Sequence, residues 1–422
     1  MSSSPRYRAG PLRIKQWKDP ALLTVAAVLA VRLIRRGHLP LRTETDALRR
    51  AARCRRWLPG QLKKPIMVHR LYQVDAFTTE RFAGNPAGVV PNADGLTDHQ
   101  MQAIARELNN SETAFICEPQ HADHDVWVRF FTPTTEVPSC GHATIAAHYV
   151  RAVENALPTC TVVQKIGAGI LPVDIIRRGT NYQVVMTQAE PAFQEPLSGS
   201  QCDRIVRALG LEVGDLNDDC PVQIVSTGHS KVMIGIRALD KLHSLQPDLP
   251  SLTAISRRIC CNGYYVFVLT PSDEYLVHGR MFAPAIGIAE DPVTGNANGP
   301  LGAYLVHHRL ASPVNGTLAF RARQGEAMGR PGVVEVSIDV EDWSPRIVRV
   351  AGRAVIVYQS TLELRVSRDS PGQHILHRPG CGQVATSSNS QRLACSSHPV
   401  RSRPAGHWPR AETWRNLLGA EP

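Results

Sequence analysis

Hydrophobic residues recur in two regular patterns between residues 67 and 364. Alternation at every second position, as in 71–77 and 347–357, predicts β-strands, and many such runs are separated by turn residues. Apolar residues three and four positions apart predict helices, the first over 98–108 behind a capping Thr97. Further helices are predicted over 202–211, 248–260 and 297–308. Many antiparallel strands with a few helices are typical of an α+β fold.

One stretch of this pattern occurs twice. Residues 129–150 read RFFTPTTEVPSCGHATIAAHYV, and residues 280–305 read RMFAPAIGIAEDPVTGNANGPLGAYL, with a three-residue insertion between the two halves. Arg129 aligns with Arg280 and Gly141 with Gly295, at offsets of 151 and 154 residues. A period this long is not that of a solenoid repeat. It predicts two similar lobes that face one another.

Both copies end an apolar strand at a proline and then open a helix with glycine and small residues. Glycine lets the backbone approach a ligand closely, and the unpaired N–H groups of a first helical turn attract anions. Two helix starts, at Gly141 and Gly295, would therefore hold a carboxylate between the lobes. Gly-Ala runs also pack helices against sheets, so it is the duplication that favours a binding site.

The net charge of +10 belongs to the ends of the chain. Residues 1–66 carry 16 Lys/Arg and 3 Asp/Glu, and residues 365–422 carry 8 and 3, whereas 67–364 carry 23 and 31. We expect 1–66 to be a basic, disordered extension, or one that precedes the true start at Met67. The region 365–422 has the composition of a disordered, low-complexity tail. Between them we predict two lobes, 67–190 and 191–364.

Several classes of protein are disfavoured. The apolar run 21–31 is shorter than the roughly 20 residues that cross a bilayer. The ten cysteines show no disulfide spacing, which predicts reduced thiols and a cytoplasmic location. Cysteine and histidine lack the usual zinc spacing, so no metal is expected. The basic segment 49–56 has no recognisable nucleic-acid module, so neither nucleic acid nor membrane is an expected partner.

Glu112 stands at the head of a predicted buried strand, in NNSETAF. A carboxylate in such a place is costly unless it is paired or functional. A surface residue at a strand end is the alternative, and the local sequence leaves both open.

Four motifs together resemble the PhzF family of phenazine-biosynthesis-type isomerases, and within it the YddE branch: GNPAGVV, NNSETAF, FTPTTEVPSCGHAT and FAPAIGIAEDPVTGNANGP. The resemblance covers about 67–364. It implies an α+β, diaminopimelate-epimerase-like fold, in which two pseudo-symmetric lobes each wrap a sheet around a central helix. It further implies a site between the lobes, a homodimer and no cofactor.

The resemblance also implies the site residues. The family's proton-shuttling glutamate falls on Glu112, its histidine on His142 and its aspartate on Asp291, which are the predicted catalytic residues. A desolvated glutamate has a pKa suited to removing a proton from a carbon acid. Glu112 would move a proton between two carbons of a small carboxylate substrate, while His142 and Asp291 orient or protonate it. The predicted substrate-binding positions are Cys140, Gly141, Ala143, Thr294, Gly295 and Asn296.

Two departures leave the substrate open. The phenazine enzyme has Ala and Ser where this chain has Cys140 and Asn296, so its substrate is not carried over. One alternative is a cysteine-dependent racemase or epimerase of the diaminopimelate type, which Cys140 fits and Thr294 does not, because a neutral hydroxyl is a weak base. The other is a non-catalytic protein that binds a metabolite, or binds nucleic acid through its basic arms.

Overall fold

The computed structural model describes residues 66–271 and 274–365. The expectations for the basic extension and for the low-complexity tail lie outside the described residues, with two exceptions. Ile66 begins the first strand, and Arg365 ends the last one. The described residues from Val68 to Leu364 belong to one compact unit. The boundary expected between 190 and 191 stays a prediction.

The first half contains nine strands and three helices among the described residues. The strands are β1 (Ile66–Ala76), β2 (Asn85–Val90), β3 (Thr113–Cys117), β4 (Val126–Phe131), β5 (Glu136–Val137), β6 (Cys160–Ile166), β7 (Gly169–Arg178), β8 (Asn181–Thr187) and β9 (Ala192–Phe193). The helices are α1 (Asp98–Leu108), α2 (Gly141–Glu154) and α3 (Gly199–Ala208).

The second half follows after a short 3₁₀ turn, Val213–Asp215. Its strands are β10 (Gln223–Ser226), β11 (Ser230–Gly235), β12 (Tyr264–Leu269), β13 (Val277–Ala283), β14 (Ile288–Asp291), β15 (Thr317–Gln324), β16 (Gly332–Glu341) and β17 (Ser344–Arg365). Its helices are α4 (Leu239–Ser244), α5 (Leu249–Ile259) and α6 (Gly295–His307), with 3₁₀ turns at Pro284–Ile286 and Glu326–Met328.

The same strand pairing occurs twice, which explains the repeated motif. In the first half, β1–β2 is antiparallel, β2–β3 parallel, β3–β4 antiparallel, β4–β6 parallel, and β6–β7 and β7–β8 antiparallel. The series β10 to β17 repeats this pattern step for step, with β13 and β15 in the places of β4 and β6. The short strands β5 and β14 pair with β4 and β13. The two motifs therefore occupy equivalent positions.

The long strand β17 joins the halves. It pairs with β16 over 344–351, with β8 over 349–353, and also with β1. These pairings close the first set of strands into a ring, β1-β2-β3-β4-β6-β7-β8-β17. In the second half, Gln188 N donates to Val348 O and Ala189 N to Thr227 O, which links β10 back toward β17.

A buried helix lies in the middle of each half, as the resemblance implies. Helix α2 packs against β2, β3, β7 and β8, and α6 packs against β10, β11, β15 and β16. All residues of α2 from His142 to Val150 are buried, as are those of α6 from Ala297 to Val306. A helix that is apolar all round belongs in a core. Gly302 permits this packing, since a Cβ there would lie 2.8 Å from Ile338 Cδ1.

Asn85 and Pro86 begin β2 and pair with β1, and residues 191–200 contain β9 and the first residues of α3. The structure corrects one expectation. Of the cysteines in the described part, six are free thiols, but Cys260 is disulfide-bonded, so the expectation of reduced cysteines is wrong there. No helix within 66–271 and 274–365 has the length and apolar content to cross a bilayer.

Candidate active site

Both helix starts line one cleft of about 380 Å³. The first half contributes Glu112 and the loop that enters α2, and the second contributes the β10–β11 turn, β14 and the start of α6. The paired motifs thus meet at one site, as the repeat predicted.

Glu112 lies just before β3 and faces the start of α2. Its Oε2 lies 3.4 Å from Nε2 of His142, and its side chain is 14% exposed. Ser111 Oγ is 3.2 Å from the same nitrogen. The parallel pairing of β2 with β3, and the bond from Gly88 N to Glu112 O, hold this backbone in place. Glu112 is therefore a paired carboxylate at the edge of a cleft rather than a solvated strand end.

Asp291, the last residue of β14, lines the same cleft from the other half. Its Oδ1 accepts from Asn85 Nδ2 at 2.8 Å, and its Oδ2 accepts from the Thr294 hydroxyl. Burial raises the pKa of Asp291, the charge of Glu112 adds to the rise, and His142 opposes it. His142 and Asp291 are thus close enough to influence each other, although they come from different halves.

Cys140 is the residue before α2, and its thiol is buried. Its sulfur lies 3.4 Å from Nδ1 of His142. Burial raises the pKa of Cys140 well above its ordinary value, and the negative charges of Glu112 and Asp291 raise it further. The group is consequently a neutral thiol at physiological pH. That state is unsuited to a thiolate base.

The first turns of α2 and α6 have no side-chain cap among the described residues. Unpaired N–H groups in such a turn attract anions. A Cβ on Gly141 would lie 3.6 Å from Met186 Cε, an ordinary contact, so packing alone does not require glycine there. At Gly295 it would lie 3.1 Å from Phe77 Cζ and 3.2 Å from Val350 Cγ1, so a larger residue there would require these side chains to shift.

The remaining predicted binding residues differ in their placement. Thr294 precedes α6 and lines the cleft, but its hydroxyl is used in the bond to Asp291. Asn296 lines the cleft, and its buried Oδ1 has no hydrogen-bond partner among the described residues. Ala143 is fully buried in the core and is not among the described residues that line the cleft. It lies in the first turn of α2, and its methyl group packs into the hydrophobic core instead.

Some site residues were missed by the sequence reasoning. Asn85 holds Asp291, and Lys231 is a buried cation that lines the cleft. The signal for Lys231 was present: like Glu112, it is a charged residue at the head of an apolar strand. Asn85 belongs to the GNPAG motif, but its contact with Asp291, 206 positions away, depends on the tertiary fold.

Within the described residues, two clusters have ligand atoms close enough for a metal ion. Glu112, Cys140 and His142 form one, and His243, His278 and Glu326 form the other. In the first cluster, the Glu112 carboxylate and the Cys140 sulfur both already contact the ring nitrogens of His142. In the second, Arg323 Nε donates to Glu326 Oε1 at 2.9 Å, and that fixed positive charge opposes a cation.

A family model for phenazine biosynthesis-like proteins matches residues 74–360 of this chain. The chain belongs to the PhzF family. Over 300 residues it is 58% identical to an uncharacterised isomerase of Clostridium acetobutylicum. The matched region covers 71% of this chain and 99% of that relative. Over 294 residues it is 48% identical to the uncharacterised isomerase YddE of Escherichia coli K12, covering 70% and 98%. The predicted family, including its YddE branch, is confirmed.

A solved structure supports the same assignment. The crystal structure of a PhzF-family phenazine biosynthesis protein from Bacillus anthracis is similar at a TM-score of 0.64 and 30% identity, covering 70% of this chain and 99% of that one. The α+β class is confirmed, whereas the specific likeness to diaminopimelate epimerase stays a prediction. Both the Clostridium and the Escherichia relatives, which match over nearly their full lengths, are named isomerases, and this chain is an isomerase.

Proposed function

We propose that this isomerase moves a proton between two carbons of a small carboxylate, with Glu112 as the single acid/base. The observation that carries the proposal is the placement of Glu112 Oε2, 3.4 Å from His142 Nε2, in a cleft that contains two uncapped helix starts. The two halves with their central helices also favour the diaminopimelate-epimerase-like fold.

The proposed reaction is an allylic shift. The Glu112 carboxylate accepts a proton from a carbon conjugated with the substrate carboxyl group, and the electron pair of the broken C–H bond spreads onto the carboxyl oxygens. N–H groups at Gly141 and Gly295, in the uncapped first turns of α2 and α6, stabilise that developing charge. Glu112 then returns the proton to a different carbon, and the double bond moves. Proton acceptor and donor are the same side chain, so the scheme needs no cofactor.

His142 and Asp291 have supporting roles in this scheme. His142 contacts Glu112 and Ser111 through Nε2, so it orients the carboxylate toward the cleft. Asp291 has a raised pKa, and a carboxyl group that retains a proton can donate a hydrogen bond to a substrate oxygen. Asn85 and Thr294 fix its position.

The cysteine-dependent racemase is the weaker alternative. It needs two cysteines, one as a thiolate base and the other as a thiol acid, but Thr294 holds the second position with its hydroxyl committed to Asp291, and burial disfavours the thiolate form of Cys140. The nucleic-acid-binding alternative depends on the basic arms, which lie outside the described residues. The homodimer and the cytoplasmic location stay predictions.

The substrate is proposed only as a class. A relative in Pseudomonas aeruginosa, 30% identical over 265 residues, is named trans-2,3-dihydro-3-hydroxyanthranilate isomerase. Cys140 and Asn296 line the cleft here, at positions where the phenazine enzyme is expected to carry other residues. We therefore propose a small unsaturated or amino carboxylate other than that compound.

Deuterium exchange tests the proposal. The purified protein is screened with small unsaturated and amino carboxylates in deuterated water, and carbon-bound deuterium is followed by NMR. Glu112→Gln should lower incorporation by about 10²–10⁴-fold, the usual contribution of a general base. Glu118→Gln, the same charge change at an exposed residue beyond β3, is the matched control and should have no effect. If Cys140→Ala abolishes exchange while Glu112→Gln retains it, the one-base assignment is wrong.

A further inference from the structure

Lys231 is a buried cation in the cleft that the proposed proton transfer does not use. It is the second residue of β11, it lines the cleft, and it is 6% exposed. Its Nζ donates to the carbonyl oxygen of Ser230 at 3.2 Å. An ammonium group has three N–H donors, so two have no hydrogen-bond partner among the described residues.

The backbone at Gly263, just before β12, leaves space for this side chain. A Cβ on Gly263 would lie 2.3 Å from Lys231 Cδ and 2.8 Å from its Cε, so only glycine accommodates the lysine stem as it lies. Val232 N donates to Gly263 O at 2.8 Å, which fixes the two backbones against each other. The lysine is therefore held in the cleft wall rather than extended into solvent.

Burial of an ammonium group without a paired anion costs free energy. That cost appears as a lowered pKa of Lys231, for which burial is the main cause and which Cys261 and Asp291 partly offset. Charged groups that are kept in clefts at such a cost are candidates for ligand binding.

The charges around the cleft show what Lys231 compensates. Among the described residues that line it, Lys231 is the only lysine or arginine, while Glu112 and Asp291 are both acidic. The Glu112 carboxylate would repel a negatively charged substrate that enters the cleft. The helix starts offer only neutral N–H groups with partial charges. A carboxylate bound beside Lys231 would favour its ammonium form, and the pair would offset this repulsion.

We propose that Lys231 binds the negatively charged carboxyl group of the substrate and makes the cleft select acids over their uncharged amides. This rests on the proposed function for the kind of substrate, and it adds a residue and a selection rule that the proton transfer does not require. A charge-assisted hydrogen bond from Lys231 to a carboxylate is short and about twice as strong as a neutral one. Crotonate and crotonamide are matched probes of this rule, since they differ mainly in charge.

The test measures binding of both probes to the full-length protein by calorimetry. The wild type should prefer crotonate, and Lys231→Gln should weaken crotonate binding roughly tenfold or more while leaving crotonamide unchanged. Lys165→Gln removes the same charge from a lysine stacked on Trp127, outside the cleft lining, and should change neither affinity. Gly263→Ala keeps every charge but displaces the lysine stem, so it should also weaken crotonate binding.

Several results would overturn the proposal: a wild type that binds neither probe or binds both equally, or equal crotonate affinity in the wild type and Lys231→Gln. Glu112→Gln separates this inference from the proposed function. That variant should lose exchange activity yet keep the preference for crotonate. If it keeps full exchange while Lys231→Gln loses crotonate binding, the base assignment fails and the role of Lys231 stands.

Discussion

Replacement of Arg280 by methionine should destabilise the protein far more than the same change at Arg129, its equivalent in the repeat. Arg280 Nε and Nη2 donate to the two carboxyl oxygens of Glu290 at 2.8 and 2.7 Å. Its Nη1 donates to the carbonyl oxygens of Leu242 at 3.0 Å and Leu245 at 2.9 Å, at the end of α4. One side chain thus ties β13 to β14 and to a helix end.

Arg129 makes the same bidentate pair, with Glu136 at 2.8 and 2.7 Å, but its third contact is different. Its Nη1 donates to Asp98 at 2.7 Å, and the Asp98 side chain is 80% exposed. The Glu136 side chain is 44% exposed, whereas that of Glu290 is 16% exposed. The partners of Arg129 can therefore be solvated when the arginine is removed, and Glu290 cannot be to the same extent.

The expected magnitudes follow from this difference in exposure. Removing one partner of a buried ion pair costs about 3–5 kcal/mol, because the other charge stays buried and unpaired. An exposed pair contributes about 1 kcal/mol or less. We expect Arg280→Met to lower the free energy of unfolding by about 3–5 kcal/mol, and Arg129→Met by about 1–2 kcal/mol when its stacking on Trp127 and Phe131 is included.

Urea unfolding at neutral pH, followed by circular dichroism, measures both values. The double variant Arg280→Met/Glu290→Leu should recover part of the loss, since it removes the unpaired carboxylate. If Arg280→Met costs no more than Arg129→Met, or if the double variant recovers nothing, the unpaired buried charge is not the cause of the loss.

Two further predictions concern pH dependence and the helix starts. Hydrogen bonding to His278 lowers the pKa of Glu326 to about 2 from 4.5, so its stabilisation, about 3 kcal/mol, is present above pH 4.5 and is lost as the pH falls toward 2. Glu326→Gln should flatten the stability curve in that range in acid-unfolding measurements, and an unchanged curve would contradict this. Gly141→Ala should leave thermal stability unchanged but lower exchange activity, because the proposed substrate approaches that backbone closely. Gly295→Ala should instead lower thermal stability, because the added methyl group would press on Phe77. Full activity in Gly141→Ala would refute the close approach.

Much of the fold was predictable because its signals are local. Thr97 and Gln100 form the capping box of α1, which begins and ends where the periodicity predicted. The repeat located both central helices, with Gly141 and Gly295 as their first residues. The short strands β5 and β14 were not predictable, since two to four residues carry no periodicity. Their carboxylates, Glu136 and Glu290, are held by arginines of the preceding strand.

The site was predictable where a residue type and a motif coincide, and not elsewhere. Glu112, His142 and Asp291 came from motifs of the family, and the structure brings all three to one cleft. Asn85 reaches Asp291, and Lys231 reaches the cleft, through a fold that joins distant parts of the chain. Such contacts depend on register, which a single sequence does not specify.

The duplication also explains why the site exists only in the assembled molecule. The first half supplies Glu112 and His142, and the second supplies Asp291 and Lys231. Burial raises the pKa of Asp291 and lowers that of Lys231, so both side chains are held in the cleft at a cost to their charged forms. The proposed proton transfer therefore draws on groups from both halves, and neither half alone contains the whole set.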